Sequence, residues 1–295
     1  PECLWRYYRY TGDVKAVEDN MKAARGIVDE FRSLKAANGL IVLSNMPKDA
    51  GNKFRNGLLF LDHPGNGWHP MTTVGIDRRD FNAGFNLFYL QALQAMARLE
   101  KVLGNDAKGL EKEIEKLKKD ILKTCFNTEK GLVADAAGSG ISSPRFSQIV
   151  NSMAIMTGLI EGETAADALA TVLDTTRHPW VSQGTPYSYF SLAEAAAVCR
   201  LGGTAVRAFN HDFGDMLKRG ATTTWEAWRA ENHDSRNHAW SAPLPYLIRR
   251  AIIGLEPLKP GYVELSIAPD FSAFDTLDCT CMIPQGKIHV KWQRT

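Results

Sequence analysis

Apolar residues recur at helical spacing along most of the chain. Between residues 14 and 34 they fall three or four positions apart, which is typical of one face of an amphipathic helix. The positions concerned are Val17, Met21, Ala24, Ile27, Val28 and Phe31. Residues 81–103 repeat the pattern and stop at Gly104, and residues 109–125 form a Lys- and Glu-rich segment with one apolar side. These last two segments are expected to form an antiparallel helical pair.

The pattern extends towards both ends of the chain. A first helix is predicted to end at Gly12. Further helices are predicted over residues 146–160, 164–175, 186–200, 204–217 and 238–254, which brings the total to about nine. From Gly261 the apolar period falls to two, and strands are predicted over residues 262–267, 276–283 and 287–292.

The order of these elements limits the fold. Strands and helices do not alternate, which excludes a doubly wound sheet and a TIM barrel. The sequence contains no self-similar repeat of about 30–45 residues, so a regular solenoid is not expected. We therefore predict an all-α protein, a toroid of helical hairpins, followed by a small antiparallel β segment and containing no parallel sheet. The predicted domains are residues 1–256, which hold the helices, and residues 257–295, which hold the strands.

Three long irregular segments interrupt the helices, at residues 43–80, 127–145 and 218–236. Connections of this length are uncommon in compact domains and are often functional. The first and the third contain most of the Trp, His and acidic residues that suggest chemistry. We expect these two segments to lie over the same end of the toroid, since both would have to line one pocket.

Composition and charge narrow the class of ligand. Hydrophobic residues make up 44% and charged residues 23% of the 295 residues, which is a globular balance. The net charge of +2 predicts neither a nucleic-acid nor a membrane partner, and no apolar run approaches the roughly 18 residues of a membrane span. The five cysteines lack the spacing of a zinc site or a disulfide framework, so we expect free thiols, no metal and no cofactor. A small neutral or weakly acidic ligand fits these features.

The segment 219–229, Arg-Gly-Ala-Thr-Thr-Thr-Trp-Glu-Ala-Trp-Arg, places a carboxylate between two indoles. In a glycosidase pocket, indole faces pack against the apolar side of sugar rings while a positioned carboxylate transfers a proton. Glu226, flanked by Trp225 and Trp228, is therefore a candidate catalytic residue. The alternative interpretation is structural: both tryptophans belong to the core at the start of a helix, and Glu226 is a charge in its first turn.

The C-terminal part of the helical region also has a family resemblance. The stretch Gly220-Ala-Thr-Thr-Thr-Trp-Glu, followed by His238-Ala-Trp-Ser-Ala and Ile253-Gly-Leu, resembles bacterial α-L-rhamnosidases of glycoside hydrolase family 78. The resemblance covers nearly the whole chain, because further motifs agree in order: Arg9-Tyr-Thr-Gly-Asp, Ser147-Gln, Gly184-Thr-Pro-Tyr and Gln285-Gly-Lys-Ile-His-Val-Lys-Trp. It implies a twelve-helix (α/α)6 catalytic barrel that releases terminal α-L-rhamnosyl residues from small glycosides by inversion. With fewer helices predicted here, the first helices of the barrel are expected to lie before Pro1.

The resemblance also implies roles for individual residues. Glu226 matches the Glu that acts as the general base in the family. Trp225 would form a wall of the sugar pocket, with Trp228 as a second indole. Asn237 and His238 occupy the place of an element that contacts substrate hydroxyls, although a capping or core histidine is the alternative.

Asp62 and Trp68 lie near the family's Gly-Asp-Trp loop, which lines the sugar pocket. The pair Asp62-His63 departs from the family pattern there, and Asp62 could instead cap a turn at Pro64. The charged run Asp77-Arg78-Arg79-Asp80 is interpreted as a surface ion-pair cluster.

The general acid is expected outside this chain. In the family it is a Glu in an acidic signature that ends Gly-Trp-Thr-Gly-Asp, and no such motif occurs in residues 1–295. The isolated chain is therefore expected to show negligible hydrolysis of an aryl α-L-rhamnoside. It is also expected to self-associate or to bind a companion segment at the open edge of the barrel. Another (α/α)6 carbohydrate-active enzyme and a non-catalytic glycan-binding protein are the alternative functions.

Overall fold

The computed structural model describes residues 1–42, 45, 61–62, 81–138, 141–142, 145–229 and 235–294. Nine α-helices follow one another within these residues, in the predicted order. They are α1 (Glu2–Thr11), α2 (Val14–Ser33), α3 (Ala83–Val102), α4 (Lys108–Cys125), α5 (Gln148–Met156), α6 (Gly162–Leu173), α7 (Tyr189–Cys199), α8 (Gly202–Lys218) and α9 (Leu244–Leu247).

The helices form an inner and an outer layer. Helix α5 is inner, since eight of its nine residues are buried, whereas α4 is outer and buries only four of its 18 residues along one stripe. Helix α5 packs between α3 and α7, and α2, α4, α6 and α8 pack against this inner row. The prediction of a toroid of helical hairpins is confirmed.

The inner helices α3, α5 and α7 begin at one end of the toroid. Asp135 is fully buried there and joins two of these starts. Its carbonyl accepts a hydrogen bond from Ala83 N–H (2.8 Å), and its carboxylate accepts from the backbone and hydroxyl of Ser147 (2.8 and 2.7 Å). Gly184 N–H, just before α7, donates to Gln148 Oε1 in α5 (2.9 Å). This end of the toroid, marked by Ala83, Ser147 and Gly184, is the loop end.

Within the described ranges, seven short strands precede the C-terminal sheets. They are β1 (Phe81–Asn82), β2 (Phe126–Asn127), β3 (Leu132–Val133), β4 (Ala136–Gly138), β5 (Ile141–Ser142), β6 (Phe146–Ser147) and β7 (Val181–Ser182). Strands β1, β4 and β5 form one antiparallel sheet, and β2 pairs with β3. The sequence predicted an irregular segment over 127–145, because strands of two or three residues are too short to show a period.

The expectation that no parallel pairing occurs was wrong. Strand β6 pairs in parallel with β7, with Phe146 opposite Val181 and Ser147 opposite Ser182. Both strands lead into inner helices that pack side by side and begin at the same end, so the residues that enter those helices run in the same direction. The pairing is a local consequence of the helical repeat and leaves the fold class unchanged.

The last helical segment is broken where the sequence predicted one helix over 238–254. The structure has a 3-10 turn (Ala239–Ser241), the four-residue α9, and a π-helix (Ile248–Ile252). Pro243 and Pro245 explain the break, because proline cannot donate the backbone hydrogen bond that a helix interior requires.

Four strands, two of three residues and two of eight, form the C-terminal β segment. Strand β8 (Leu255–Pro257) pairs with β9 (Leu265–Ile267), and β10 (Thr276–Ile283) pairs with β11 (Gly286–Gln293), both antiparallel. Strand β10 matches its predicted bounds. The predicted strand from residue 262 begins later because residues 260–262 form a 3-10 turn in which Gly261 has a φ of +73°. The domain division after residue 256 stays a prediction.

Candidate functional site

Glu226 lies in a loop that follows α8, in which the described residues 219–229 have no regular secondary structure. The expected alternative, a helix that starts at the tryptophans, is not observed. Glu226 N–H donates to the Ser235 carbonyl (2.9 Å), and His238 N–H donates to the Thr224 carbonyl (2.9 Å). Residues 224–226 and 235–238 therefore run side by side, and these backbone bonds fix the direction of both side chains.

Glu226 and His238 meet across this pair of segments. His238 Nδ1 lies 3.7 Å from Glu226 Oε2, and the same oxygen accepts a hydrogen bond from Ser235 N–H (3.2 Å). The Glu226 side chain is 37% exposed and that of His238 is 25% exposed. The carboxylate is thus oriented by the backbone, close to a titratable ring, and still accessible to solvent.

Two aromatic residues that the sequence did not single out extend this group. The His238 ring packs against Trp240 at a tilt of 40°, with 4.2 Å between centroids, and Trp240 packs on Tyr187 at 5.5 Å. Burial raises the pKa of Tyr187, and the nearby carboxylate of Asp62 raises it further. Both aromatics lie in the motifs that carry the family resemblance, Gly184-Thr-Pro-Tyr and His238-Ala-Trp, which is the signal that could have identified them.

Asp62 is joined to the loop end by Thr185. Its side chain is only 1% exposed and accepts hydrogen bonds from Thr185 N–H (2.8 Å) and from the Thr185 hydroxyl. These bonds span 123 positions of sequence. The predicted turn cap at Pro64 lies outside the described residues, as do Trp68 and the cluster at 77–80.

The tryptophans beside Glu226 are packed into the core. Trp225 is 8% exposed, with the Arg236 guanidinium 5.8 Å from the centre of its ring. Trp228 packs edge-on against Tyr189 (4.8 Å) and Phe213 (5.0 Å). The alternative interpretation is therefore correct in one respect, since both tryptophans pack into the core. A role for either indole in sugar binding stays a prediction.

Gly184 connects the Glu226 loop to the inner helices. Its carbonyl accepts the indole N–H of Trp228 (2.7 Å), while its N–H bonds Gln148. A Cβ atom at this position would lie 1.7 Å from Ser188 Oγ, a distance that no real contact tolerates. Only glycine fits, and the close approach brings Trp228, two positions after Glu226, against the segment that begins α7.

Asn237 lies at the surface beside this loop. Its carbonyl accepts a hydrogen bond from the Ser235 hydroxyl (3.1 Å). The structure thus brings Glu226 and His238 together and leaves Asn237 exposed next to them. Its predicted contact with substrate hydroxyls stays a prediction.

Three further features concern the described part of the chain. The five cysteines, two of them buried, are all free thiols. No group of three or more His, Cys, Asp or Glu side chains suited to a metal ion occurs there. None of the helices within these ranges combines the length and apolar character that a membrane crossing requires.

Several solved structures share this fold. The family 78 rhamnosidase of Bacillus sp. GL1 superposes with a TM-score of 0.76 at 21% identity, over 98% of this chain and 30% of that protein. For the Streptomyces avermitilis α-L-rhamnosidase, solved in complex with L-rhamnose, the TM-score is 0.69 at 16% identity, over 99% and 26%. For the Klebsiella oxytoca rhamnosidase with rhamnose bound, the values are 0.65 and 17%, over 84% and 45%. The chain thus spans less than half the length of these relatives.

No curated protein sequence matches this chain. A family model does match, and it extends over residues 2–252, most of the helical region and the whole Glu226 loop. Its description is the bacterial alpha-L-rhamnosidase 6 hairpin glycosidase domain. The chain therefore belongs to the bacterial α-L-rhamnosidase family of six-hairpin glycosidases.

Proposed function

We propose that the protein containing this chain releases terminal α-L-rhamnosyl residues from small glycosides with inversion, and that Glu226 is its general base. The observation that carries the proposal is the setting of Glu226, a partly exposed carboxylate held by Ser235 N–H beside His238. The rhamnose bound to two solved relatives supports a sugar ligand of this class.

In the proposed step Glu226 accepts a proton from a water molecule. The water oxygen attacks the anomeric carbon, while the bond from that carbon to the glycosidic oxygen breaks on the opposite face of the ring. The hydrogen bond from Ser235 N–H to Glu226 Oε2 restricts rotation of the carboxylate. Its other oxygen, Oε1, therefore stays directed towards the water. His238 and Trp240 form one wall beside it, where the imidazole can bond a hydroxyl and the exposed indole can pack against the sugar ring.

The leaving oxygen requires a proton from a second carboxyl about 6.5–9.5 Å from the base. We assign this role to the Glu of the family's acidic signature, which residues 1–295 do not contain. Asp62 is a poor candidate, because its buried carboxylate already accepts two hydrogen bonds from Thr185. A companion segment that carries this signature would have to supply the acid to a protein made only of these residues.

The test compares two substrates with the isolated chain and with the complete protein. Fluoride leaves without full protonation, so the isolated chain should hydrolyse α-L-rhamnosyl fluoride in a Glu226-dependent manner while leaving an unactivated rhamnoside intact. The complete protein should cleave both, and NMR should detect β-L-rhamnose as the first product. Release of the α-anomer first would overturn inversion. Tight rhamnose binding without turnover by the complete protein would favour the glycan-binding alternative.

A further inference from the structure

A cavity lies far from the loop end. It has a volume of about 310 Å³ and is lined by Trp5 and Arg9 of α1, Arg98 of α3 and residues 257–260. Arg98 follows the start of α3 at Ala83 by 15 residues, which at about 1.5 Å per residue is about 22 Å along the helix axis. The volume is in the range of small-molecule pockets, which begins at about 300 Å³.

Three cations surround this cavity, and two of them have their own carboxylate. Arg9 pairs with Glu256, and Lys259 Nζ lies 2.7 Å from Glu264 Oε2. Arg98 differs, because across the described ranges no carboxylate oxygen lies within 4.0 Å of its guanidinium. The guanidinium instead lies over the Trp5 ring, 5.6 Å from its centroid. Among the described residues that line the cavity, the positive charge of Arg98 is therefore in excess.

The surroundings make this excess charge unfavourable. Partial desolvation lowers the pKa of Arg98, and although Glu2 raises it, the positive charges of Arg9 and Arg6 lower it again. Arg98 is exposed, so solvent weakens its repulsion by these like charges without removing it, and a bound anion would reduce that repulsion further. A guanidinium favours a carboxylate in particular, since its planar fork donates two parallel hydrogen bonds to the two oxygens.

The remaining walls suit a ring. The Trp5 indole, Leu258 and the prolines at 257 and 260 are apolar, and Leu258 is 57% exposed. Apolar walls with one fixed charge are typical of sites for small organic acids. We propose that this cavity binds a carboxylate-bearing monosaccharide, with the Arg98 guanidinium as its principal contact. The site is separate from Glu226 and does not depend on the proposed activity.

Titration calorimetry of the protein with D-glucuronate tests this proposal. We expect saturable binding at one site, with D-glucose silent and acetate at least about 10-fold weaker than glucuronate. Arg98→Gln should weaken glucuronate binding at least about 10-fold, and Arg98→Lys should weaken it less, because the charge stays and the fork is lost. Arg177→Gln, at an exposed arginine of the loop that follows α6, is the matched control and should bind as the unaltered protein does.

Three results would overturn the proposal. They are no binding of glucuronate, equal binding of glucose or acetate, and equal affinity in Arg98→Gln. Circular dichroism of each variant establishes that it is folded. If Arg98→Gln fails to fold, Arg98→Lys and the ionic strength decide, since affinity that does not fall between 20 and 200 mM salt would exclude a charge-based site.

Discussion

Two glutamates of this chain occupy opposite kinds of environment. Glu194, in α7, is 14% exposed and is bonded by Arg250 (2.9 Å) and by the Tyr246 hydroxyl. Burial acts to raise its pKa, but the hydrogen bond and the charge of Arg250 outweigh this and lower the pKa to about 2. Glu226 is 37% exposed and has one backbone donor and a histidine 3.7 Å away. A carboxylate saturated by donors stabilises a fold, whereas one that keeps an open oxygen can exchange protons.

The Glu194 environment is part of a larger network. Arg250 also pairs with Glu256, which in turn pairs with Arg9, so that the network joins α1, α7, the π-helix and β8. Removing one partner of such a buried cluster leaves a charge without compensation. We therefore expect substitutions in the network to change stability, and substitutions in the Glu226 loop to change catalysis.

The largest effect is expected from Glu226→Gln in the complete protein. The amide keeps the volume but cannot accept the proton of the attacking water, so kcat should fall by about 10²- to 10⁴-fold. The melting temperature should stay within error, because the side chain is partly exposed. Glu163→Gln, at an exposed position in α6, is the matched control and should change neither quantity. Unchanged turnover on a natural rhamnoside would exclude Glu226 as the base.

The converse change is Glu194→Gln. It leaves Arg250 with Glu256 as its remaining carboxylate and should lower the free energy of unfolding at pH 7 by about 3 kcal/mol. Urea titrations of this variant and of Glu163→Gln measure the difference. Activity per folded molecule should be retained, and a loss of kcat with normal stability would remove the distinction between the two glutamates.

The pH dependence of the same variant sharpens the test. The folded pKa of Glu194 is about 2, against an ordinary value of 4.5. Its stabilisation is therefore complete above about pH 4.5 and is lost as the pH falls towards 2, which at about 1.4 kcal/mol per unit amounts to about 3 kcal/mol. The free energy of unfolding, plotted against pH between pH 7 and pH 2.5, should fall more steeply for the unaltered protein than for Glu194→Gln. Parallel curves would contradict this assignment.

The outer and inner helices differ in how far the sequence predicts them. The bounds of α2 and α4 follow from one apolar stripe each, because an outer helix has one solvent-exposed face and one buried face. The inner α5 has no such contrast, and the helix predicted over residues 146–160 extends beyond the observed bounds, Gln148–Met156, at both ends. Its parallel strand partner could not be predicted, since the pairing arises from the packing of two helices.

The candidate site shows the same division. Glu226 and His238 could be predicted together because both lie in one motif, whose two arms are joined by local backbone bonds. The contact between Asp62 and Thr185 joins distant segments and depends on the closed toroid. No spacing in the sequence records such a contact, so Thr185 was missed and Asp62 was assigned to the pocket without its partner.

A smaller effect is expected at Gly184, which joins the two regions through Trp228 and α7. Gly184→Ala places a Cβ atom 1.7 Å from Ser188 Oγ, and overpacking of this kind typically costs about 1–3 kcal/mol of stability. The Trp228 bond to the Gly184 carbonyl should be displaced, so kcat should also fall. Ser188→Ala added to Gly184→Ala should restore part of both losses, because it removes the closest atom. Wild-type stability in Gly184→Ala would show that the segment before α7 shifts to accommodate the Cβ atom without a loss of stability.

The smallest effect should come from Trp240→Ala. The indole is 38% exposed and packs on His238 and Tyr187, so its loss should lower stability by about 1 kcal/mol or less, the size of one aromatic contact. The KM for a rhamnoside should rise by up to about 10-fold with kcat nearly unchanged, since the indole would bind the sugar ring equally in the ground state and the transition state. Trp180→Ala is the matched control, because Trp180 is 41% exposed and also packs on an aromatic ring, that of Phe146. Equal KM values in the two variants would mean that the Trp240 indole does not contact the sugar, and that the wall beside Glu226 binds it through His238 alone.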